Sequence, residues 1–260
     1  MKADAVPLVV GILVFLSSLI SLRLKISVAI IEIFLGALAA YFGLKNEGWM
    51  IYLASFGGIV LTFLAGTEID TRLMKEKFKE SFLIGTLSFL FPFIGTFFYT
   101  YHVAHWTLQA ALIAGTALST TSLAVVYSVL VETGLSKTEI GKLLMAATFI
   151  TDMGTALALS ILFMKPTVYT LVFIVVSVVL PAFLLGLLMS RHFTETTETK
   201  VVRNRLRTVS YAIVTPIFFI VGGLRVSFPM ILSAFGLFAI LFVIKIIAKF
   251  LGVYFLAKRY

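Results

Sequence analysis

The chain has 260 residues, of which 60% are hydrophobic and only 13% are charged, and its mean hydropathy is +1.09. This composition excludes a soluble globular domain and indicates a polytopic membrane protein. The absence of cysteine excludes disulfides, thiol catalysis and cysteine-ligated metal sites, whereas the net charge of +9 could still suit a nucleic-acid-binding protein.

Nine apolar segments are long enough to cross a bilayer as helices. In chain order, the predicted spans 1 to 9 cover residues 6–22, 26–43, 49–66, 80–101, 107–131, 139–164, 167–190, 208–224 and 229–257. Span 1 follows a single lysine and has no small-residue cleavage site after it, so we expect a retained span rather than a signal peptide. The predicted fold class is an all-α multi-pass protein of the cell membrane.

The basic residues lie almost entirely on one side of this topology. Fifteen fall beyond the same ends of the spans: Arg23, Lys25, Arg72, Lys75, Lys77, Lys79, Lys137, Lys142, Arg191, Lys200, Arg203, Arg205, Arg207, Lys258 and Arg259. The opposite side carries only Lys2, Lys45, Lys165 and Arg225. The positive-inside rule therefore predicts an external N-terminus and a cytoplasmic C-terminus. The basic excess marks topology, and we expect no nucleic-acid partner.

Two early acidic positions are interpreted as structural. Glu32 lies about two turns from the cytoplasmic start of span 2, where it could snorkel to the interface or pair with Lys25 or another neighbour. Span 3 passes through Gly66 into the charged stretch 67–80, which has the composition of a cytoplasmic linker with charge pairs four residues apart.

Spans 4 and 5 contain residues that disturb regular helices. Span 4 has Gly85, Pro92 and Gly95, which favour close packing and a kink. Span 5 has four consecutive hydroxyl residues at its centre, positions 119–122. Their hydroxyls could bond to carbonyls of the preceding turn and bend an intact helix. Alternatively they mark an unwound segment whose free backbone groups hold ions, and the acid in span 6 favours this second interpretation.

That acid is Asp152, about midway between Glu139 and Phe163 and therefore near the bilayer midplane. An intramembrane carboxyl costs roughly 2.5 to 3.5 kcal/mol on insertion scales, so its default interpretation is functional. Thr148 and Thr155 share its helix face and Thr151 adjoins it. The group could be a permanently protonated structural acid. It could equally hold either a proton or a monovalent cation, but not both, which is the chemical requirement of an exchanger.

Span 9 supplies a possible counter-charge. Lys245 and Lys249 are four residues apart on one face, well inside the apolar run. Lys249 could snorkel toward the cytoplasmic boundary. Lys245 lies too deep for that, so at least one of the two is expected to meet a carboxylate or a water-filled cavity.

Several motifs resemble the monovalent cation:proton antiporter superfamily with the NhaA-like fold, in the branch of Na+/H+ antiporters and Kef-type K+ transporters. They are FLAGTEID at 63–70, GTALSTTSLAVV at 115–126, AATFITDMG at 146–154, TPIFFIVGGLRVS at 215–227 and AKFLGVY at 248–254. Thr120 stands where that family often has proline, and Thr151 replaces the first member of its acidic or Asn-Asp pair.

The resemblance implies an elevator-type exchanger of Na+ or K+ for protons. Asp152 would bind the proton or cation, and a site lined by Thr120, Thr121 and Ser122 with Thr148 and Thr151 would surround it. Lys249, with Lys245 beside it, would supply the counter-charge, and no cofactor is implied. Because Thr151 leaves Asp152 as a single acid, the resemblance weakly favours one-for-one exchange. Hydroxyls and carbonyls suit Na+, K+ and Li+ alike.

The resemblance also implies a domain organisation. Residues 1–164 would form a first six-helix repeat, with dimer-type spans 1–3 and ion-binding core spans 4–6, and a homodimer would form through the N-terminal helices. Residues 165–260 would form a linker helix and a partial second repeat. Family members have twelve or thirteen helices. Residues 165–180 resemble the family's linker helix but run straight into residues 181–195, which resemble a span two crossings later, so about two helices are missing at that junction. The second discontinuous helix is not found before Tyr260.

Three other classes compete with exchange. A non-transporting remnant or a subunit of a split antiporter fits the missing helices. A channel would need a continuous polar path, and only one polar girdle is found. An enzyme is least expected, because no nucleophile, metal set or phosphate loop is found.

Overall fold

A computed structural model describes residues 5–68, 76–163, 179–190 and 197–257, and these are helical apart from short connections. The helices are α1 (Val6–Leu24), α2 (Val28–Tyr41), α3 (Gly48–Glu68), α4 (Phe78–Phe98), α5 (Leu108–Ser119), α6 (Leu123–Glu132), α7 (Glu139–Phe163), α8 (Val179–Ser190), α9 (Thr197–Val209), α10 (Thr215–Leu224), α11 (Phe228–Ser233) and α12 (Phe235–Ala257). The predicted all-α membrane architecture is confirmed.

Eight of the nine predicted spans, together with the last part of span 7, correspond to helices of the described residues with several adjusted limits. Seven helical stretches are long and apolar enough to cross a membrane, whereas Val28–Tyr41 and Pro181–Ser190 are shorter apolar helices. Span 8 begins earlier than predicted, because α9 continues through a π-helical turn at Ser210–Val214 into α10. Span 9 is interrupted between α11 and α12. The predicted linker helix lies largely outside the described residues.

Two close helix crossings hold α2, α3, α8 and α10 together. A Cβ added to Gly223 would lie 2.1 Å from the Ile33 carbonyl oxygen, and one added to Gly36 would lie 2.3 Å from that of Ile220. Gly66 and Gly186 make the same kind of contact between α3 and α8. In lipid, where helices gain little from burying apolar surface, such close backbone approach is a main source of association. Together with α1, these helices form what we call the scaffold group.

A second set, the core group, is arranged around α4, which packs against α5, α7 and α12. A Cβ on Gly85 would meet the Ala147 carbonyl oxygen of α7 at 2.7 Å, and Gly95 faces Ile244 of α12. The expected close packing at these glycines is confirmed, and α4 stays helical through Pro92.

Glu68, the last residue of α3, is buried and paired instead of facing solvent as a linker residue would, and residues 69–75 of the predicted linker lie outside the described residues. The Glu68 side chain is 4% exposed and lies 3.7 Å from the Arg203 guanidinium and 3.4 Å from that of Arg207. Both arginines belong to α9, which is far away in the sequence. A carboxylate shared by two guanidiniums satisfies its charge inside the bundle.

The crossing of α2 and α10 predicts that alanine substitutions at the adjacent residues Gly222 and Gly223 have different effects on stability. Gly223→Ala forces the two backbones apart, so we expect the detergent-solubilised protein to lose about 1 to 3 kcal/mol of stability, the usual range for overpacking. A Cβ on Gly222 meets nothing within 4 Å. Gly222→Ala should therefore leave the melting temperature unchanged or raise it slightly. Equal melting temperatures for both variants, measured by tryptophan fluorescence, would contradict the crossing.

Candidate cation and proton site

The helix of span 5 is broken at residues 120–122. Thr120 ends α5 with an extended backbone (φ −65°, ψ 153°), and Ser122 begins α6 at φ −64°, ψ 117°. The Ser122 hydroxyl accepts the Val125 amide at 3.5 Å and so caps α6. Of the two interpretations of the hydroxyl run, the unwound segment is confirmed. The C-terminal end of one half-helix and the N-terminal end of the other consequently face this break, with free backbone groups at each.

Asp152 of α7 lies against this break. The Thr120 hydroxyl donates to Oδ1 of Asp152 at 3.3 Å, and the backbone amide of Leu123 donates to Oδ2 at 3.4 Å. Both carboxyl oxygens are therefore engaged by the unwound segment. The first turn of α6 offers the partial positive charge of a helix N-terminus, which favours an anionic partner.

Thr148 and Thr151 flank Asp152 but do not donate to it. The Thr148 hydroxyl donates to the Leu144 carbonyl at 2.8 Å, and the Thr151 hydroxyl donates to the Thr148 carbonyl at 2.7 Å. Both residues are buried. Because each hydroxyl proton is directed into the helix, the oxygen lone pairs remain available as acceptors, which is the form a cation ligand needs.

Lys249 reaches the break through Thr121 and not through Asp152. Its ammonium donates to the Thr121 hydroxyl from α12, which packs against α4. Within the described ranges, neither Lys249 nor Lys245 has a carboxylate within 4.0 Å. The two lysines, one turn apart on α12, are both partly buried. The positive charge thus lies beside the hydroxyl run, next to the acid but not in direct contact with it.

The assembled site is a set of oxygen atoms around one carboxyl. Asp152, Thr120 and Thr121 come together with the ends of α5 and α6, while Ser122 serves as a cap on the exposed side. In the part of the chain that the structure covers, no group of three or more His, Asp or Glu side chains could hold a metal ion. Hard oxygen ligands with a single negative charge suit a proton or a monovalent cation better than a transition metal.

The amide of Leu123 is the contact that sequence reasoning missed. Side-chain patterns point to Asp152 and the threonines, but a backbone donor carries no residue signature. Only the unwinding at residues 120–122 frees this amide from its helical partner, and only the fold brings it to the acid.

Comparison with known proteins bears on this arrangement. The model of the sodium/hydrogen exchanger transmembrane family matches residues 10–168 and 157–260. The chain is similar to "Probable Na(+)/H(+) antiporter 3" of Methanocaldococcus jannaschii, at 26% identity over 77% of this chain and 65% of the relative. It is also similar to a "Na(+)/H(+) antiporter" of Enterococcus hirae, at 27% identity over 94% of this chain and 78% of the relative. A third relative is "Cation/H(+) antiporter 18" of Arabidopsis thaliana, at 31% identity over 48% of this chain and 16% of the relative.

The relatives are longer than this chain, which spans slightly less than two thirds of the M. jannaschii protein. Part of the difference is internal. The alignment with the E. hirae protein runs over 304 positions but uses 94% of the 260 residues here, about 244, so the relative has about 60 additional residues inside the aligned region. The two family matches overlap at residues 157–168. Since the two matches cover nearly all of its length, the chain belongs to the sodium/hydrogen exchanger transmembrane family.

Proposed function

We propose that this chain exchanges a monovalent cation, Na+ or K+, for protons across the membrane. The observation that supports this most strongly is the contact of both Asp152 oxygens with the break in span 5. The relatives named above, all called Na(+)/H(+) or cation/H(+) antiporters, support the same proposal.

The proposed chemistry is competition at one carboxyl. Ionised Asp152 attracts a dehydrated cation, which the hydroxyl and carbonyl oxygens around the break help to coordinate. Protonated Asp152 loses that charge and releases the cation. The Lys249 ammonium, held on Thr121, raises the electrostatic cost of a cation at the site. A weaker site of this kind releases its ion more readily, as a transporter requires.

The proposed motion is of the elevator type. The core group of α4, α5, α7 and α12 carries Asp152, the first half of the break and Lys249, so these would move as one body. The scaffold group holds itself together through the glycine crossings and would remain fixed, as a homodimer formed through the N-terminal helices. Half-helix α6 contacts members of both groups and is the element that must adjust.

The proposed orientation has the N-terminus outside and the C-terminus in the cytoplasm. Two long-range contacts support a common cytoplasmic side. Glu68 at the end of α3 pairs with arginines of α9, and Glu132 at the end of α6 accepts the amide of Val28 at the start of α2. These are the ends of the spans where basic residues accumulate.

A non-transporting subunit remains the second candidate. It is favoured by the roughly 60 internal residues of the E. hirae relative that have no counterpart here. A partner chain would then supply the helices needed for exchange. The experiment below separates the two candidates.

Asp152→Asn should abolish exchange, because the amide can neither release a proton nor attract a cation. The purified chain is reconstituted into liposomes with a trapped pH dye, a proton gradient is imposed, and Na+ or K+ is added outside. We expect cation-driven pH recovery in the wild type and the rate of protein-free liposomes in the variant. Glu139→Gln, at the exposed start of the same helix, should recover like the wild type.

Recovery in Asp152→Asn would disprove the assignment of the site. If the folded wild-type chain itself shows no recovery, the subunit candidate is preferred.

Thr120→Val should weaken the apparent affinity for the cation without abolishing exchange. Loss of the hydroxyl beside Asp152 removes one hydrogen bond and one oxygen ligand, worth about 1 kcal/mol, so KM for the cation should rise about fivefold. Thr62→Val on α3 is the matched control, since its hydroxyl bonds only to the Gly58 carbonyl of its own helix. The KM values come from dye recovery at increasing cation concentration. An unchanged KM in Thr120→Val would exclude this hydroxyl from the site.

A further inference from the structure

A cavity of about 390 Å³ lies between the core group and the scaffold group. Its walls are α4 and α7 of the core group and α8 of the scaffold group, and Asp152 is not one of its lining residues. Of the fifteen lining residues, only Ser81 and Thr86 have polar side chains. A space of this size with such a lining suits hydrocarbon better than water.

The cavity has about the length of one leaflet of a bilayer. Its lining on α4 runs from Phe78 to Leu90, which is about 18 Å of helix, whereas half of the hydrocarbon core of a bilayer is about 15 Å thick. On α7 the lining runs from Ala146 to Leu157. These are the halves of both helices nearest the basic ends that the proposed orientation places in the cytoplasm. The cavity therefore lies at the depth of the acyl chains of the cytoplasmic leaflet.

The cavity opens toward the outside of the helix bundle. Phe82 of α4 and Leu184 of α8 line two of its walls, and both side chains are exposed. In a chain that spans a bilayer, exposed apolar side chains at this depth face lipid. An acyl chain can consequently enter the cavity directly from the bilayer.

Two lysines, which we call the cavity lysines, mark the cytoplasmic end of this space. Lys79 lies three residues before the lining residue Phe82, and Lys142 lies four residues before the lining residue Ala146. Each therefore continues the lined face of its helix by one turn. Both belong to the first turn of their helices, α4 and α7, which pack against each other. The apolar space thus ends in positive charge.

Acidic residues nearby do not take up this charge. Glu80 lies 3.9 Å from Lys77, and Glu76 and Glu139 are exposed. In the part of the chain that the structure describes, neither of the cavity lysines has a carboxylate oxygen within 4.0 Å. The N-terminal ends of α4 and α7 add partial positive charge at the same place. An anionic group such as a phosphate is therefore favoured at this end.

We propose that the cavity is a binding site for a phospholipid of the cytoplasmic leaflet. One acyl chain fills the space between α4, α7 and α8, and the phosphate accepts hydrogen bonds from Lys79 and Lys142. At the wall of the cavity, the rings of Phe149 on α7 and Phe183 on α8 are stacked with their centroids 3.9 Å apart. A chain bound beside this stack contacts both helix groups and so holds them together.

Leu184→Cys tests the cavity, because the chain has no cysteine of its own. After purification the thiol is labelled with a bulky apolar maleimide, which occupies the cavity of an already folded protein. Phosphatidylglycerol is then titrated into the detergent-solubilised full chain, and bound lipid is counted by native mass spectrometry. We expect labelling to weaken binding about tenfold, which corresponds to lost burial of about two methylene groups.

Labelled Leu185→Cys is the matched control. Leu185 is the next residue of α8 and is also exposed, but it does not line the cavity. Its labelling should leave phosphatidylglycerol binding unchanged. Equal binding in the two labelled variants overturns the proposal and indicates that a second copy of the chain, or a segment outside the described residues, covers the cavity instead.

The contact with the phosphate has its own measurement. Lys79→Gln and Lys142→Gln should each weaken phosphatidylglycerol binding about fivefold, the effect of one lysine beside an anionic lipid. Lys200→Gln is the control, since Lys200 is exposed on α9, away from the cavity. Equal affinity in all three variants overturns the phosphate contact and, with it, a phospholipid as the occupant.

Discussion

The hydrogen bonds between a broken helix and a buried acid are the interaction on which this structure depends, because each supplies partners that the other lacks. In hydrocarbon, unpaired backbone groups and an isolated carboxylate are each costly. Here the Leu123 amide and the Thr120 hydroxyl meet the two oxygens of Asp152. Either feature alone would be a defect in a membrane helix, and together they make a polar site with few fixed charges. The proposed exchange of a proton for a cation would act on this contact.

The helices around the site fall into two groups that pack in different ways. Glycine crossings bring backbones of the scaffold helices into contact, which leaves little freedom to slide. The site residues lie mostly on helices packed around α4. Between them, α6 contacts α3, α7 and α2. The acid at one end of α6 and the helix N-terminus at the other give this short segment a polar contact at each end.

The additional residues inside the E. hirae relative show which parts of this architecture form without them. About 60 residues present in the E. hirae protein have no counterpart here, yet the paired crossings of α2 with α10 and of α3 with α8 are formed. These crossings therefore do not require the additional residues. The scaffold group and the break around Asp152 therefore form in a chain that lacks the additional residues.

By itself the sequence determined the membrane class, the spans, the intramembrane acid and the hydroxyl run, because hydropathy and residue type are local properties. Tertiary structure decided what each polar group meets. It unwound 120–122 beside Asp152, directed Lys249 to Thr121, buried Glu68 between two distant arginines and left Oε2 of Glu32 without a hydrogen-bond partner among the described residues. Hydropathy shows that a polar group lies in the membrane. Its partner comes from another helix, more than a hundred residues away for Glu68 and Lys249, and only packing brings such groups together.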